Sequence, residues 1–153
     1  MVLNQIERET TIAAPIERVW ATLTEGTHLA AWWTNAGAEV DLRLGGAIVL
    51  RWAEHGTHHA RITALEPPHR FAFRWALLPD QEPREGNATD VTFTLTPEGA
   101  TTRLRVVEYG FAGLTLTEAE REQHVADNQS GWVGAFAGLE QYLLQPVGYS
   151  NSH

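Results

Sequence analysis

The chain contains no cysteine, which excludes a thiol nucleophile, a disulfide, thiolate-ligated zinc and a cysteine-held iron–sulfur cluster. Lysine is absent too, since all 11 basic residues are arginine. Schiff-base chemistry, pyridoxal phosphate anchoring and the P-loop lysine go with it. Serine occurs only at Ser130, Ser150 and Ser152, and none of these sits in a nucleophile elbow. No apolar run reaches the length of about 18 residues needed to span a bilayer. The start, MVLNQIERETTI, lacks the basic residues and apolar stretch of a secretion signal. Positive charge is also in deficit, with a formal net charge of -8 and scattered acids. That sign repels phosphate backbones and anionic lipid heads, so nucleic acid and membrane are not expected partners. A cytoplasmic location is the expectation, with no cofactor and no metal.

What remains is aromatic and periodic. The 153 residues include six tryptophans, enough chain for one domain with a full core. The expected domain covers residues 1–145, with 146–153 as a flexible tail. Gln5–Ile12 alternates as a first strand, and Pro15 signals a helix carrying Ile16, Val19, Trp20 and Leu23. A second short helix covers Thr27–Trp33, and from Ala38 the period becomes two. Ala47–Glu54 reads as a strand with Ile48, Leu50 and Trp52 on one face. His55–Gly56–Thr57 then reads as a hairpin loop, which would pair Glu54 with His58, Trp52 with Ala60 and Leu50 with Ile62. Pro67–Pro68 breaks the chain before His69–Ala76, while Leu78–Thr89 reads as an exposed loop. Val91, Phe93 and Leu95 mark another strand, 97–100 a turn, and Thr101–Tyr109 the last strand. A long amphipathic helix over 117–145 closes the chain, opened by the capping box Thr117–Glu120. Its expected buried stripe is Val125, Gln129, Trp132, Phe136, Leu139 and Leu143, beside small residues Gly131, Ala135 and Gly138.

A single helix across a sheet of large rings predicts a cavity between them. Its expected walls are Trp32, Trp33, Leu50, Trp52, Ile62, Phe71, Phe73, Trp75, Phe93, Val106, Phe111, Trp132 and Phe136. Glu108 follows Leu104 and Val106 in phase and so is expected to point inward. There it would orient a ligand's polar end, with His58 and Gln129, or serve as an acid/base. Glu54 and His58 would share a face near the cavity mouth. His58 and His59 point to opposite sides of a strand, which argues against one ion held by His55, His58 and His59. Arg51, Arg61, Arg74, Arg103 and Arg105 fall on the outward phase and are expected to form a solvated face with acids.

Several stretches, in order along the chain, carry a family resemblance: Val19-Trp20-Ala21-Thr22-Leu23-Thr24, Leu29-Ala30-Ala31-Trp32-Trp33, Asp41-Leu42-Arg43-Leu44-Gly45-Gly46, Ala64 through Trp75, and Gly131-Trp132. With the element order, they make the chain similar to the START-related SRPBCC, or birch-pollen-allergen-like, superfamily. Within it, the chain resembles homologues of the C-terminal domain of the activator of heat shock protein 90 ATPase. The resemblance implies an α+β helix-grip fold: a curved antiparallel β-sheet wrapped around a long C-terminal α-helix, with two short helices after the first strand. It also implies a small hydrophobic ligand between sheet and helix and is compatible with a homodimer. Two other functions stay open: a cofactor-free cyclase, hydrolase or isomerase using Glu108, and a co-chaperone-like interaction module linked to stress response. The resemblance supplies no universal catalytic residue, and fold alone does not settle activity.

Overall fold

The computed structural model describes residues 3–145; the expected tail at 146–153 lies outside the described residues. Strand β1 (Gln5–Ile12) leads into α1 (Ile16–Thr24) and α2 (Gly26–Trp32). Strands β2 (Ala38–Val40), β3 (Ala47–Trp52), β4 (Gly56–Glu66), β5 (Arg70–Ala76), β6 (Ala88–Glu98) and β7 (Thr101–Tyr109) follow. A 3-10 turn at Phe111–Gly113 precedes the closing helix α3 (Glu118–Leu143). All seven strands form one antiparallel sheet in the order β1-β7-β6-β5-β4-β3-β2. This is the helix-grip architecture, with the sheet curved around α3. A register shift between Ile62 and Ala64 on β4 sharpens that curvature.

Alternation explains which face is buried. Ile62, Phe73, Val91, Phe93, Leu104 and Val106 all turn toward α3 and are at most 2% exposed. Phe71 pairs with Phe93, and Phe93 with Val106, so large side chains neighbour one another across three strands. From α3, Val125, Trp132, Ala135, Phe136, Leu139 and Leu143 meet them. Each buried Phe or Leu contributes about 1.5–3 kcal/mol. The outward arginines pair with acids as expected: Arg51 with Glu39, Arg61 with Glu82, Arg103 with Glu98 and Arg105 with Glu7. Arg74 differs, reaching the Arg84 carbonyl while its buried Nε has no partner.

Three expectations need correction. The β3–β4 loop is 53–55, and the register is Trp52 with Gly56, Leu50 with His58 and Ile48 with Ala60. Gly56 does adopt a positive φ, 83°, but as the first residue of β4, paired with Trp52, rather than at the loop centre. Glu54 therefore sits in the turn and does not pair with His58. The stretch read as a loop to Thr89 ends earlier, because the Leu77 amide donates to the Asn87 carbonyl and β6 begins at Ala88. Finally, the β6–β7 turn narrows to 99–100, with Pro97 paired to Thr102 inside the strands.

Helix α3 is about 39 Å long, since each of its 26 residues rises about 1.5 Å. Thr117 caps it: the Glu120 amide donates to Thr117 Oγ1 at 3.1 Å and the Thr117 amide to Glu120 Oε1 at 2.9 Å. Thr117→Ala is expected to lower stability by about 1 kcal/mol in urea unfolding. The Thr117 amide, and then its hydroxyl, hold the Glu120 carboxyl below the usual carboxylate range. A depressed folded value means this contribution is present at neutral pH and is lost as pH falls through that value. Glu120→Gln should flatten that part of the acid unfolding curve, whereas Thr117→Ala keeps the amide that is its larger cause. The C-terminal half of α3 is tied down by Thr10 Oγ1 donating to Glu140 Oε1 at 2.7 Å and by His28 Nδ1 at 2.7 Å from the Tyr142 hydroxyl. Gly138 lets the end of α2 come close, since a Cβ there would lie 3.2 Å from the Trp32 carbonyl oxygen. Among the described residues no helix is long and apolar enough to cross a membrane.

Candidate functional site

Glu108 ends the inward row of β7 with no exposed surface. Its register partner on β6 is Val91, and Thr89 stands one inward step further along, opposite Trp75 of β5. This arrangement brings four donors to one carboxylate. Oε2 accepts from Thr89 Oγ1 at 2.5 Å, Trp75 Nε1 at 3.0 Å and Asn128 Nδ2 at 2.9 Å. Oε1 accepts from Trp132 Nε1 at 2.9 Å and Asn128 Nδ2 at 3.0 Å. A carboxylate has about four acceptor positions, and these bonds use them. Glu108 thus fastens β5, β6 and β7 to the middle of α3 without an arginine.

Above this knot the sheet and helix separate. A cleft of about 620 Å³ opens between the first half of α3, the β3–β4 hairpin, the end of β5 and the end of α2. Its walls carry Trp32, Trp33, Trp52, Trp75 and Trp132, five of the six tryptophans. Trp33 is central: its ring lies 5.5 Å from Trp32, 5.6 Å from Trp52, 5.8 Å from Trp75 and 5.6 Å from Trp132. Trp32 and Trp33 stack within 8° of parallel, so both share the wall instead of one being turned away. Along α3 the wall is cut low by Gly131, Gly134 and Ala135; a Cβ on either glycine would meet nothing within 4 Å. His55, His58, His124, Asp127, Asn128 and Ser130 supply the polar side chains of the lining. His58 stands edge-on to Trp52 at 5.7 Å, with its Nε2 3.2 Å from the His55 carbonyl. His59 instead points away from the cleft, 3.6 Å from Glu82.

The sequence-expected walls divide into two groups. Trp32, Trp33, Trp52, His58, Trp75 and Trp132 surround the cleft. Leu50, Ile62, Phe71, Phe73, Phe93, Val106, Phe111 and Phe136 do not; each is at most 2% exposed and lies in the core. Their rings interlock, with Phe71–Phe73 at 5.8 Å, Phe93–Trp132 at 5.7 Å and Trp132–Phe136 at 6.4 Å, filling the space expected to be hollow. Glu108 lies behind the Trp75 and Trp132 indoles rather than on the cleft surface. Gln129 is exposed, not buried, and with Val106 borders a smaller hollow of about 190 Å³ on another side of Trp132. Asn128 takes the inward place instead. As the i−4 neighbour of Trp132 it shares that residue's helix face, the one signal that points to it. Thr89 was detectable as the residue in phase with Val91 and Phe93.

The comparisons with known proteins agree with this architecture. NE0264 from Nitrosomonas europaea is 22% identical with a TM-score of 0.75, over 95% of this chain and 97% of that one. The Aha1 dimer from Colwellia psychrerythraea is 21% identical at a TM-score of 0.74, over 92% and 96%. DynU16, from the dynemicin biosynthetic locus, is 21% identical at 0.73; the match covers 94% of this chain and 48% of that one, so this chain spans about half of DynU16. At such identities the likeness shows the fold. No curated protein matches the chain in sequence. The family described as Activator of Hsp90 ATPase homolog 1-like protein matches residues 13–144, most of the described chain, and the protein belongs to that family.

Proposed function

We propose that the chain, acting as a single domain over residues 1–145, binds a small apolar or aromatic molecule in the tryptophan-walled cleft. The observation that carries this reading is the convergence of five indoles on an open space of about 620 Å³. That size falls within the range of about 300–1,000 Å³ typical of small-molecule sites. The indoles pack against one another at 5.5–5.8 Å between ring centres, and the open space lies alongside that cluster, between it and the first half of α3. A ligand entering here would lie against the indole cluster, with the low rail of Gly131 and Gly134 giving it clearance along α3. An acid/base role for Glu108 gains no support from its position, since its oxygens already accept from four side chains.

Tryptophan fluorescence tests the reading directly. Titration with naphthol, indole and decanoic acid is expected to quench or shift the emission saturably for at least one compound. Native mass spectrometry of freshly purified protein should show a co-purified small molecule where one is retained. A flat fluorescence response across the whole panel would overturn the proposal.

A further inference from the structure

The cleft differs in one respect from a merely greasy pocket. Four of its five indole N–H groups are turned inward and used. Trp32 Nε1 donates to the Thr22 carbonyl at 2.9 Å, and Trp52 Nε1 to the Trp33 carbonyl at 2.9 Å. Trp75 Nε1 and Trp132 Nε1 donate to the two oxygens of Glu108. Trp32, Trp52 and Trp75 therefore offer a ligand ring surface rather than donors, and Trp132, only 4% exposed, backs them. Ring faces are the negative part of the aromatic quadrupole, and an acceptor at the N–H edge pushes further electron density into the ring. Glu108 sets its carboxylate 3.0 Å and 2.9 Å from the nitrogens of two wall indoles, one ring away from the cleft. Asp127, exposed at the rim, adds a second carboxylate, and no arginine is among the lining residues. The chain has no lysine, and its net charge of -8 raises the local concentration of cations.

We infer that the cleft selects a cationic ligand, a substituted ammonium attached to an apolar or aromatic body, over neutral and anionic molecules of the same shape. This rests on the ligand-binding reading above and adds to it the charge of the ligand. The ammonium sits against the exposed ring surfaces of Trp33, Trp52 and Trp75, with Asp127 at the entrance, and the apolar body fills the groove along Gly131. Cation–π attraction at a partly desolvated site of this kind favours the cation by about tenfold.

The test uses three matched probes on the intact protein, followed by calorimetry or tryptophan quenching: benzyltrimethylammonium, its neutral isostere neopentylbenzene, and the anion phenylmethanesulfonate. The expected order is the ammonium ahead of the isostere by about tenfold, with the sulfonate weakest. Equal affinity for ammonium and isostere would overturn the charge inference while leaving apolar binding intact. Failure of all three, together with the flat panel described above, would overturn both. Gly131→Leu, which fills the groove without touching the charges, should abolish ammonium binding. Ammonium binding undiminished in that variant would place it elsewhere on the acidic surface and overturn the inference.

Discussion

Glu108→Ala is expected to cost about 3–5 kcal/mol of stability, because it leaves the buried donors of Trp132 and Asn128 without an acceptor and Trp75 with Thr89 Oγ1 alone. In a chain of this length each kcal/mol moves the melting temperature by about 2–4 °C, so a fall of about 6–20 °C should appear in thermal unfolding. Total stabilities run at about 5–15 kcal/mol, which makes this a large fraction. Glu108→Gln keeps the volume and one acceptor oxygen but turns an amide donor toward other donors. It should fall between wild type and alanine. The mechanism predicts more than lost stability: with Glu108 gone, the Trp132 indole loses its acceptor and the Trp75 indole keeps only Thr89, so the cleft wall loosens and ligand affinity should fall in the variant that still folds. A loss below about 1 kcal/mol for Glu108→Ala, within the ordinary range of a single exposed contact, would show that the carboxylate is not what joins sheet to helix.

The second large effect has the opposite sign for stability. Gly131→Leu is expected to raise stability by about 0.5–1 kcal/mol, since glycine inside a helix is unfavourable by that amount and leucine is a good helix former. A Cβ at this position meets nothing within 4 Å, so the new side chain enters open space rather than the core. That open space is the cleft, and the leucine would occupy the groove facing Trp132. Ligand binding should therefore weaken by at least about tenfold, the scale set by losing one buried apolar contact surface. Stability and binding moving in opposite directions distinguishes a blocked site from a damaged fold. A variant both more stable and fully competent to bind would show that the ligand does not use this groove.

Much of the fold was readable because it depends on period alone. Gln5–Ile12 and Thr101–Tyr109 were bounded at both ends by alternation, and the start of α3 by a capping box that needs only Thr117 and Glu120. The same alternation turned Glu108 inward. What alternation cannot supply is register: the β3–β4 pairing slips by two residues on each strand, which leaves every inward residue inward, so the apolar pattern is blind to it. Helix phase failed at Gln129 for a related reason. Asn128 and Gln129 are both polar and about 100° apart on α3, so hydrophobicity cannot say which one faces the sheet. The choice is made by the Glu108 acceptors, a partner 20 residues from Asn128 in sequence.

The position of the cavity depended on volume rather than pattern. Phe71, Phe73, Phe93 and Phe136 alternate or recur just as Trp52, Trp75 and Trp132 do, and nothing in their spacing says which set closes. In the structure the phenylalanines interlock in tilted pairs, Phe71 with Phe73 and Phe73 with Phe93. Four of the five cleft indoles have their N–H committed to a fixed acceptor, which sets the orientation of the ring cluster beside which the open space lies. Buried hydrogen bonds, which no periodicity encodes, decide where the hollow lies.

Trp20 provides an internal control for that hollow, since it packs edge-on against Phe71 at 6.1 Å and is not among the residues lining the cleft. The most direct test follows the indole N–H resonances of all six tryptophans in a nitrogen–proton correlation spectrum during a naphthol titration. Binding in the cleft predicts progressive shifts for Trp32, Trp33, Trp52, Trp75 and Trp132 while Trp20 stays still. A titration that moves Trp20 as far as the others, or leaves the five cleft resonances in place while naphthol binds, would contradict the account.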